Sequence, residues 1–356
     1  MMKEEKSGYG WPLVGNGHIV SFLSKSIISK TIAGAYIFCG PNNLGKSTLA
    51  RYFSQVLLCQ ARDRKSAVAC NNCPSCRRFK STGDNNAEED KSGSLTNTHS
   101  DLHVVKKEKD KKNISIEQVR EFIRKLSMSS FLNSYKIGVI NEAHTLSIEA
   151  ANALLKTLEE PKSDVVIILI TSDADVLPST IISRSQILNF HPVKPDIIYD
   201  YLVKEHKAPR SAAKNFSRAS LGRPALAVKF LEDKAFYDDY HKIVKVFLSF
   251  GGSDINKHFN LIEELAGKKA AGRENAKTAE EIMEIWQGLV RDMLLLNYSR
   301  NDLIQHHLVE KELEKLKIKF SAKSLVELSE KLRLGLDYLK ANVGAKAVLE
   351  NIVINF

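Results

Sequence analysis

Between Tyr36 and Phe190, short apolar runs alternate with stretches whose apolar positions recur at helical spacing. Residues 36–39, 102–105, 136–140, 165–171 and 186–190 read as strands, the fourth of them fully buried. Residues 18–28, a segment beginning at Leu49, and residues 114–126 and 147–160 read as helices, the last stopped by Pro161. Strands alternating with helices predict an α/β domain with a parallel sheet covered on both faces and ligand at its carboxyl edge. Beyond Pro195 the pattern is helical throughout. It predicts short helices at 196–204 and 211–217, another over 221–230 with Pro224 near its first turn, and two long ones. The first of these opens on a capping box, Thr278-Ala-Glu-Glu281, and runs past Trp286 and Leu296; the second spans 321–339. Their Leu, Ile and Val stripes predict core or subunit contact rather than a cofactor site.

Several polar segments interrupt the pattern. Residues 1–10 predict a loose tail, and the Ser-, Asp- and Asn-rich stretch at about 80–100 a mobile insertion with no core of its own. The charge run from Lys106 to Lys112 predicts a solvated loop, with contact to DNA phosphates as the alternative, and the lysines Lys268 and Lys269 with Arg273 predict another loop. A chain of 356 residues holds two or three domains, and its 43% hydrophobic and 26% charged content is that of an ordinary soluble protein. A formal net charge of +10 favours an anionic partner, nucleic acid first, against a merely solvated basic surface. No apolar core of a signal peptide follows the Met-Met-Lys-Glu-Glu-Lys start, and the strongest apolar run, 165–170, is too short to span a bilayer. The expected location is the cytoplasm, with no membrane partner.

The first chemical element is Gly40-Pro-Asn-Asn-Leu-Gly45-Lys46-Ser47-Thr48, a G-x-x-x-x-G-K-[ST] phosphate loop between a strand and a helix. Glycines let backbone N–H groups close around a phosphate, the helix start adds its positive dipole end, and Lys46 adds a full charge. Ser47 is expected to hold Mg²⁺. The segment Trp11 to Gly15, with the helix after it, either folds over a base or packs as core.

Cys59, Cys70, Cys73 and Cys76 supply two overlapping C-x-x-C steps and one upstream thiol. In a reducing compartment that set predicts tetrahedral Zn²⁺ rather than disulfides, and four protein ligands make the ion structural. Cys39, inside a strand, reads as a small buried apolar residue.

The strand at 136–140 ends in Asn141 and Glu142, where phosphate-loop ATPases usually place Asp and Glu. Glu142 is expected to polarise the attacking water. Asn141, being neutral, is expected to support Mg²⁺ less well than an aspartate. Thr171, at the end of the next strand, is positioned to sense a γ-phosphate.

Taken together, Gly40-Pro through Gly45-Lys-Ser, the four cysteines, Ala150-Ala-Asn-Ala-Leu-Leu-Lys-Thr-Leu-Glu-Glu-Pro161 and Ser183-Arg184 resemble bacterial clamp-loader subunits, the AAA+ proteins of the DNA polymerase III delta-prime and gamma/tau group. The resemblance covers about residues 12–230. It implies an AAA+ nucleotide-binding domain over 1–192 with a zinc module at about 59–80, a helical lid over 193–232, and an all-α collar over 233–356. It also implies that Gly40, Gly45, Lys46, Ser47, Thr48, Asn141, Glu142, Thr171 (first sensor) and Arg223 (lid arginine) form this chain's own ATP/Mg²⁺ site. Arg184 would reach a neighbour's site as an arginine finger, although the cysteine of that Ser-Arg-Cys motif is Ser185 here. The implied partners are gamma/tau-like and delta-like subunits in a hetero-oligomeric ring, the sliding clamp and primed DNA. Asn141, the absence of a long extension after the collar, and the strings His99-Ser-Asp-Leu-His103 and Ile116-Glu-Gln-Val-Arg120 favour a delta-prime-like subunit, weak or inactive as an ATPase. The alternatives are a gamma/tau-like motor, supported by the intact Lys46, and a zinc-containing nucleic-acid-binding module with a vestigial ATP site.

Overall fold

The structure, a computed structural model, describes residues 10–62, 66–81, 99–108, 111, 113–130, 135–160, 162, 164–251, 255–266, 273–341, 343–354 and 356. The expected tail at 1–9, most of the insertion at 80–100, part of the 106–112 charge run, the Pro161 stop, and Lys268 with Lys269 lie outside these residues. The chain divides into two compact units, one reaching to Ile197 and including Arg223–Ala225, the other comprising Ile198–Gly222 and Leu226–Phe356.

The first unit runs α1 (Gly17–Ser29), β1 (Ala35–Cys39), α2 (Lys46–Leu58), α3 (Pro74–Ser81), β2 (Leu102–Val105), α4 (Ile116–Ser127), β3 (Lys136–Ile140), α5 (Ile148–Glu159), β4 (Val165–Thr171), α6 (Ser179–Ile182) and β5 (Gln186–Asn189). The strands form one sheet in the order β2-β3-β4-β1-β5, with every pairing parallel. This is the parallel α/β sheet expected from the alternating pattern. From β1 the chain crosses to the far edge at β2, whereas from β4 it passes β1 to reach β5. The carboxyl ends of β1 and β4, where these connections diverge, therefore form the crevice in which such sheets take ligands.

The period of two along β1 divides its side chains between two cores. Tyr36 and Phe38 pack with Leu23 of α1 and Phe53 of α2, while Ala35 and Ile37 pack with Phe122 of α4 and Leu154 of α5. Burial on both faces explains why β4 is an unbroken apolar run with every residue inside. Local signals fix the helix starts. Ser115 and Gln118 form a reciprocal capping box on α4, and the Ser147 hydroxyl accepts the Ala150 N–H on α5. Cys39, expected to be buried, is only half-buried, because it ends β1 at the crevice.

The helix α7 (Pro195–Lys204) leads into the second unit, which continues through α8 (Arg210–Ala219), α9 (Pro224–Glu232), α10 (Lys234–Ser249), α11 (Ile255–Ala266), α12 (Arg273–Asn297), α13 (Glu310–Lys317), α14 (Ala322–Lys340) and α15 (Ala345–Ile354). Its core surrounds Trp286 of α12, together with Phe247 of α10, Leu332 of α14 and Leu349 of α15. The Thr278 capping box is not a helix start. The helix begins at Arg273, so Thr278 lies inside it. A capping-box sequence describes a local option, which tertiary packing overrides when the preceding residues also go helical. Among the described residues no helix is long and apolar enough to cross a membrane.

Candidate nucleotide site and four-cysteine centre

Residues 40–45 join β1 to α2 at the crevice. Gly40 has φ 141° and Gly45 has φ 88°, backbone conformations that residues with a side chain rarely adopt. A Cβ on Gly40 would stand 2.5 Å from the Phe190 carbonyl oxygen, and one on Gly45 would stand 2.9 Å from Leu13 Cδ1. With Asn43 also left-handed, the loop curls over the amino end of α2, the positive end of a 13-residue dipole. Ser47 and Thr48, on the first turn, are exposed.

Lys46 is buried, with 6% of its surface exposed. Its Nζ folds back onto the loop and donates to the Gly40 carbonyl and, at 2.7 Å, to the Pro41 carbonyl. Burial pulls its pKa down to about 8; the neighbouring Cys39 acts in the opposite sense, and the positive charge of Arg223 lowers it further. Arg223 thus lies beside the loop, where Ala225 N–H donates to the Asn43 carbonyl at 3.1 Å.

The other crevice residues come from β3 and β4. Thr171 is buried opposite Cys39 in the sheet register, and its carbonyl accepts the Gly40 N–H at 3.3 Å. Its hydroxyl donates to the Asp173 carbonyl at 2.6 Å and accepts the Asp173 N–H at 3.2 Å, so sensing a phosphate requires it to leave that turn. Asn141 continues the ladder through its N–H to the Val105 carbonyl at 2.8 Å, while its Oδ1 is buried and has no hydrogen-bond partner among the described residues. Glu142 is exposed, with a left-handed φ of 53°. An amide-lined loop, a buried cation, exposed hydroxyls at a helix start and an orphaned buried amide oxygen are groups that fit a nucleoside triphosphate with Mg²⁺.

Arg184 is not among them. It precedes β5, whose first residue pairs with Tyr36, at the amino edge of the sheet; the phosphate loop leaves the opposite edge. The four residues from Tyr36 to Gly40, at about 3.3 Å each, put about 13 Å of strand between the two. The guanidinium is exposed, paired to Glu159 at 2.9 Å and donating to the Thr180 carbonyl at 3.1 Å.

The four cysteines converge on a separate centre. Cys59 follows the last residue of α2, Cys70 and Cys73 lie in the loop after it, and Cys76 is in α3. Their sulfur atoms lie within 4.8 Å of one another, Cys70 and Cys76 being 3.9 Å apart. A tetrahedral ZnS₄ site with Zn–S of about 2.3 Å has an S···S edge of about 3.8 Å. Backbone N–H groups point at the sulfurs as they would at thiolates: Cys70 to Cys59 at 3.3 Å, Cys73 to Cys70 at 3.3 Å and Cys76 to Cys73 at 3.4 Å. The N–H groups of Asn72 and Cys73 pull the Cys70 thiol down to about 6, while burial pushes Cys76 up. A cation between them would reverse that cost. The donor set and spacing can hold zinc.

Trp11 settles its two sequence readings in favour of packing. It is buried against Tyr52 and Phe53 of α2, and its Nε1 donates to the Ala67 carbonyl at 2.9 Å, tying the cysteine loop to the core.

The sequence matches the family described as DNA polymerase III, delta subunit, over residues 15–194, just over half of the chain. The chain belongs to that family. It is 28% identical over 229 residues to DNA polymerase III subunit delta' of Bacillus subtilis, covering 64% of this chain and 63% of that one. It is 30% identical over 186 residues to subunit tau of the same organism, covering 52% of this chain and 30% of that one. Each match therefore spans less than two thirds of the relative's own length. A gamma subunit-related protein of DNA polymerase III from Thermotoga maritima superposes with a TM-score of 0.43 at 17% identity, covering 93% of this chain and 96% of that one.

Within the family's sheet, three supporting groups escaped the sequence reading. The carbonyls of Gly40 and Pro41 hold Lys46, Asp173 holds the Thr171 hydroxyl, and Glu159 holds Arg184. Only Glu159 had a signal, as part of the Leu-Glu-Glu-Pro string.

The depressed Lys46 pKa gives a pH dependence. Between about pH 8 and the ordinary lysine value the unfolded chain holds the proton and the folded chain does not, so this group's contribution to stability rises with pH across that window. A bound phosphate favours the charged ammonium, so nucleotide affinity is expected to change in the opposite sense. It should fall by up to about tenfold per pH unit above pH 8. Fluorescent-nucleotide titrations from neutral to alkaline pH measure this. A flat profile in the intact chain, or the same slope in Lys46→Met, would exclude Lys46 as the group.

Proposed function

We propose that this chain is a clamp-loader subunit of DNA polymerase III, of the delta-prime type, which joins gamma/tau-like and delta-like subunits in a ring that loads the sliding clamp onto primed DNA. Its main chemical contribution is Arg184, given to the neighbour's ATP site. The observation that carries this reading is the position of Arg184, exposed at the edge of the sheet opposite its own phosphate loop. About 13 Å of strand separates an arginine there from its own phosphate loop. In the same reading 193–232 is the lid and 233–356 the collar, Cys59, Cys70, Cys73 and Cys76 hold a structural zinc, and Arg223 is the lid arginine on this chain's ATP.

Asn141 argues against a strong motor. A neutral amide holds a metal-bound water less firmly than a carboxylate, which lowers Mg²⁺-dependent turnover even with Glu142 in place. One observation favours the second reading, a gamma/tau-like motor: the phosphate loop is complete, with Lys46 buried and Ser47 open. ATP binding and steady-state hydrolysis by the purified chain, beside Lys46→Ala and Asn141→Asp, separate the two. Binding lost in Lys46→Ala, with negligible turnover in the parent, is the expected result. Clear Lys46-dependent turnover by the isolated chain would make it the motor instead.

A further inference from the structure

The four sulfurs of the cysteine centre are not equivalent. Cys70 is exposed, Cys59 and Cys73 are half-buried, and Cys76 is buried. The turn after Cys70 adds a second difference. Asn71 is left-handed, with φ 58°, and two backbone N–H groups are aimed at the Cys70 sulfur, from Asn72 at 3.5 Å and from Cys73 at 3.3 Å. The exposed Arg77 guanidinium donates to Asn72 Oδ1 at 3.1 Å and so holds a positive charge on the same turn. Solvent access, N–H donors and a nearby cation are the surroundings in which a cysteine stays a thiolate and meets reagents from solution.

Cys76, by contrast, is held in place. It lies in α3, whose inner side is pinned by its neighbours: Ser75 Oγ donates to the Leu58 carbonyl at 2.8 Å and meets His99 Nε2 at 3.1 Å, and Phe79 stacks on the His99 ring at 5.9 Å. Cys70 precedes the helix, in the loop. The two sulfurs are 3.9 Å apart. A disulfide needs about 2.05 Å, so a movement of about 2 Å on the Cys70 side closes it.

We propose that this centre is peroxide-sensitive: a hydroperoxide reacts at Cys70, Cys76 closes a disulfide with it, and the zinc is released. The proposal rests on the zinc assignment made for Cys59, Cys70, Cys73 and Cys76. In the first step the Cys70 thiolate attacks one oxygen of hydrogen peroxide, the O–O bond breaks, a sulfenic acid forms and hydroxide leaves. In the second, the Cys76 thiolate attacks the Cys70 sulfur, the S–S bond forms, the S–O bond breaks and a second hydroxide leaves. The two thiolates give up two electrons and the peroxide takes them. The disulfide removes two of the four ligands, and Cys59 with Cys73 falls short of the four that structural zinc requires. The new bond joins the loop to α3, so the link that is lost is the one to Cys59 at the end of α2.

The test uses the full chain, purified under reducing conditions, with its zinc counted before hydrogen peroxide is added. Released zinc is read with a colorimetric chelator, and cysteine states by alkylation and peptide mass spectrometry. The expected result is loss of the zinc together with a Cys70–Cys76 crosslink, while Cys39, at the end of β1, stays open to alkylation. A dithiol and added zinc should restore the metal. Cys70→His offers a zinc-binding nitrogen that cannot form the disulfide, so peroxide should release its zinc at least about tenfold more slowly. Cys59→His keeps both reacting sulfurs and should release zinc at close to the parent rate. If Cys70→His takes up no zinc, the first crosslink formed in the parent chain decides. Zinc retained in millimolar peroxide, a first crosslink that leaves out Cys70, or equal release from the parent and Cys70→His would overturn the proposal. A parent chain that holds no zinc ends the zinc assignment and this proposal with it, whereas a loaded chain unmoved by peroxide ends this proposal alone.

Discussion

Arg184→Ala is expected to lower ATP hydrolysis by a reconstituted clamp-loader ring by about a thousandfold or more at the site that receives it, the range measured when arginine fingers are removed. The side chain sits on the surface, and its carboxylate partner, Glu159, is itself half exposed. Its loss should therefore leave folding intact, within about 1 kcal/mol. Binding of ATP to this chain's own loop should not change, because Arg184 and Gly40 lie at opposite edges of the sheet. Those two controls give the prediction its content. A ring that keeps full hydrolysis with Arg184→Ala present would remove the trans role, and weakened ATP binding in the isolated mutant would show that the arginine acts in cis. Glu159→Ala is the companion variant: the Thr180 carbonyl still holds the guanidinium, so hydrolysis should fall far less.

The second large effect is expected at the four cysteines. The purified chain should contain one zinc ion, and Cys73→Ser or a strong chelator should remove it. Structural zinc in small modules is worth on the order of 10 kcal/mol, and bound here it would hold the cysteine loop and α3 against the core. Hydrogen exchange should show amide protection lost around Cys70, Cys73 and α3, and weakened at Trp11, whose indole donates to Ala67 in the same loop. The phosphate loop ends at the far, amino end of α2 and is set by the sheet, so nucleotide affinity should fall much less than protection. Metal analysis finding no zinc, with thiols free and exchange unchanged on chelation, would end the metal reading. Cysteine pairs recovered as disulfides would replace it with covalent crosslinks.

Much of this site was legible because its chemistry is local in sequence. The phosphate loop needs two residues that tolerate positive φ, a lysine and a hydroxyl within a nine-residue span, and the cysteines need only their spacing. The strands were legible for a related reason: in a parallel sheet covered on both faces, β4 must be apolar at every position. What misled was a local signal that packing overrode. Thr278 and Glu281 make a plausible helix start, but α12 already runs through them from Arg273. The working Ser115–Gln118 box on α4 has an equally modest signature. Cys39 looked like a core residue by its strand context; only its place at the carboxyl end of β1 leaves it half open.

The sequence by itself determined which residues are candidates for the chemistry: Lys46 and its glycines, Asn141 where an aspartate is usual, Glu142, Arg184 and the cysteine quartet. Their identity is a covalent fact, and short-range patterns expose it. Only the tertiary structure decided how they are grouped. The order β2-β3-β4-β1-β5 brings Thr171 against Gly40 and sends Arg184 to the other edge. Burial turns Lys46 onto carbonyls and lowers its pKa. Distances across a sheet and desolvation inside a core depend on which segments meet, and no window of sequence contains both partners.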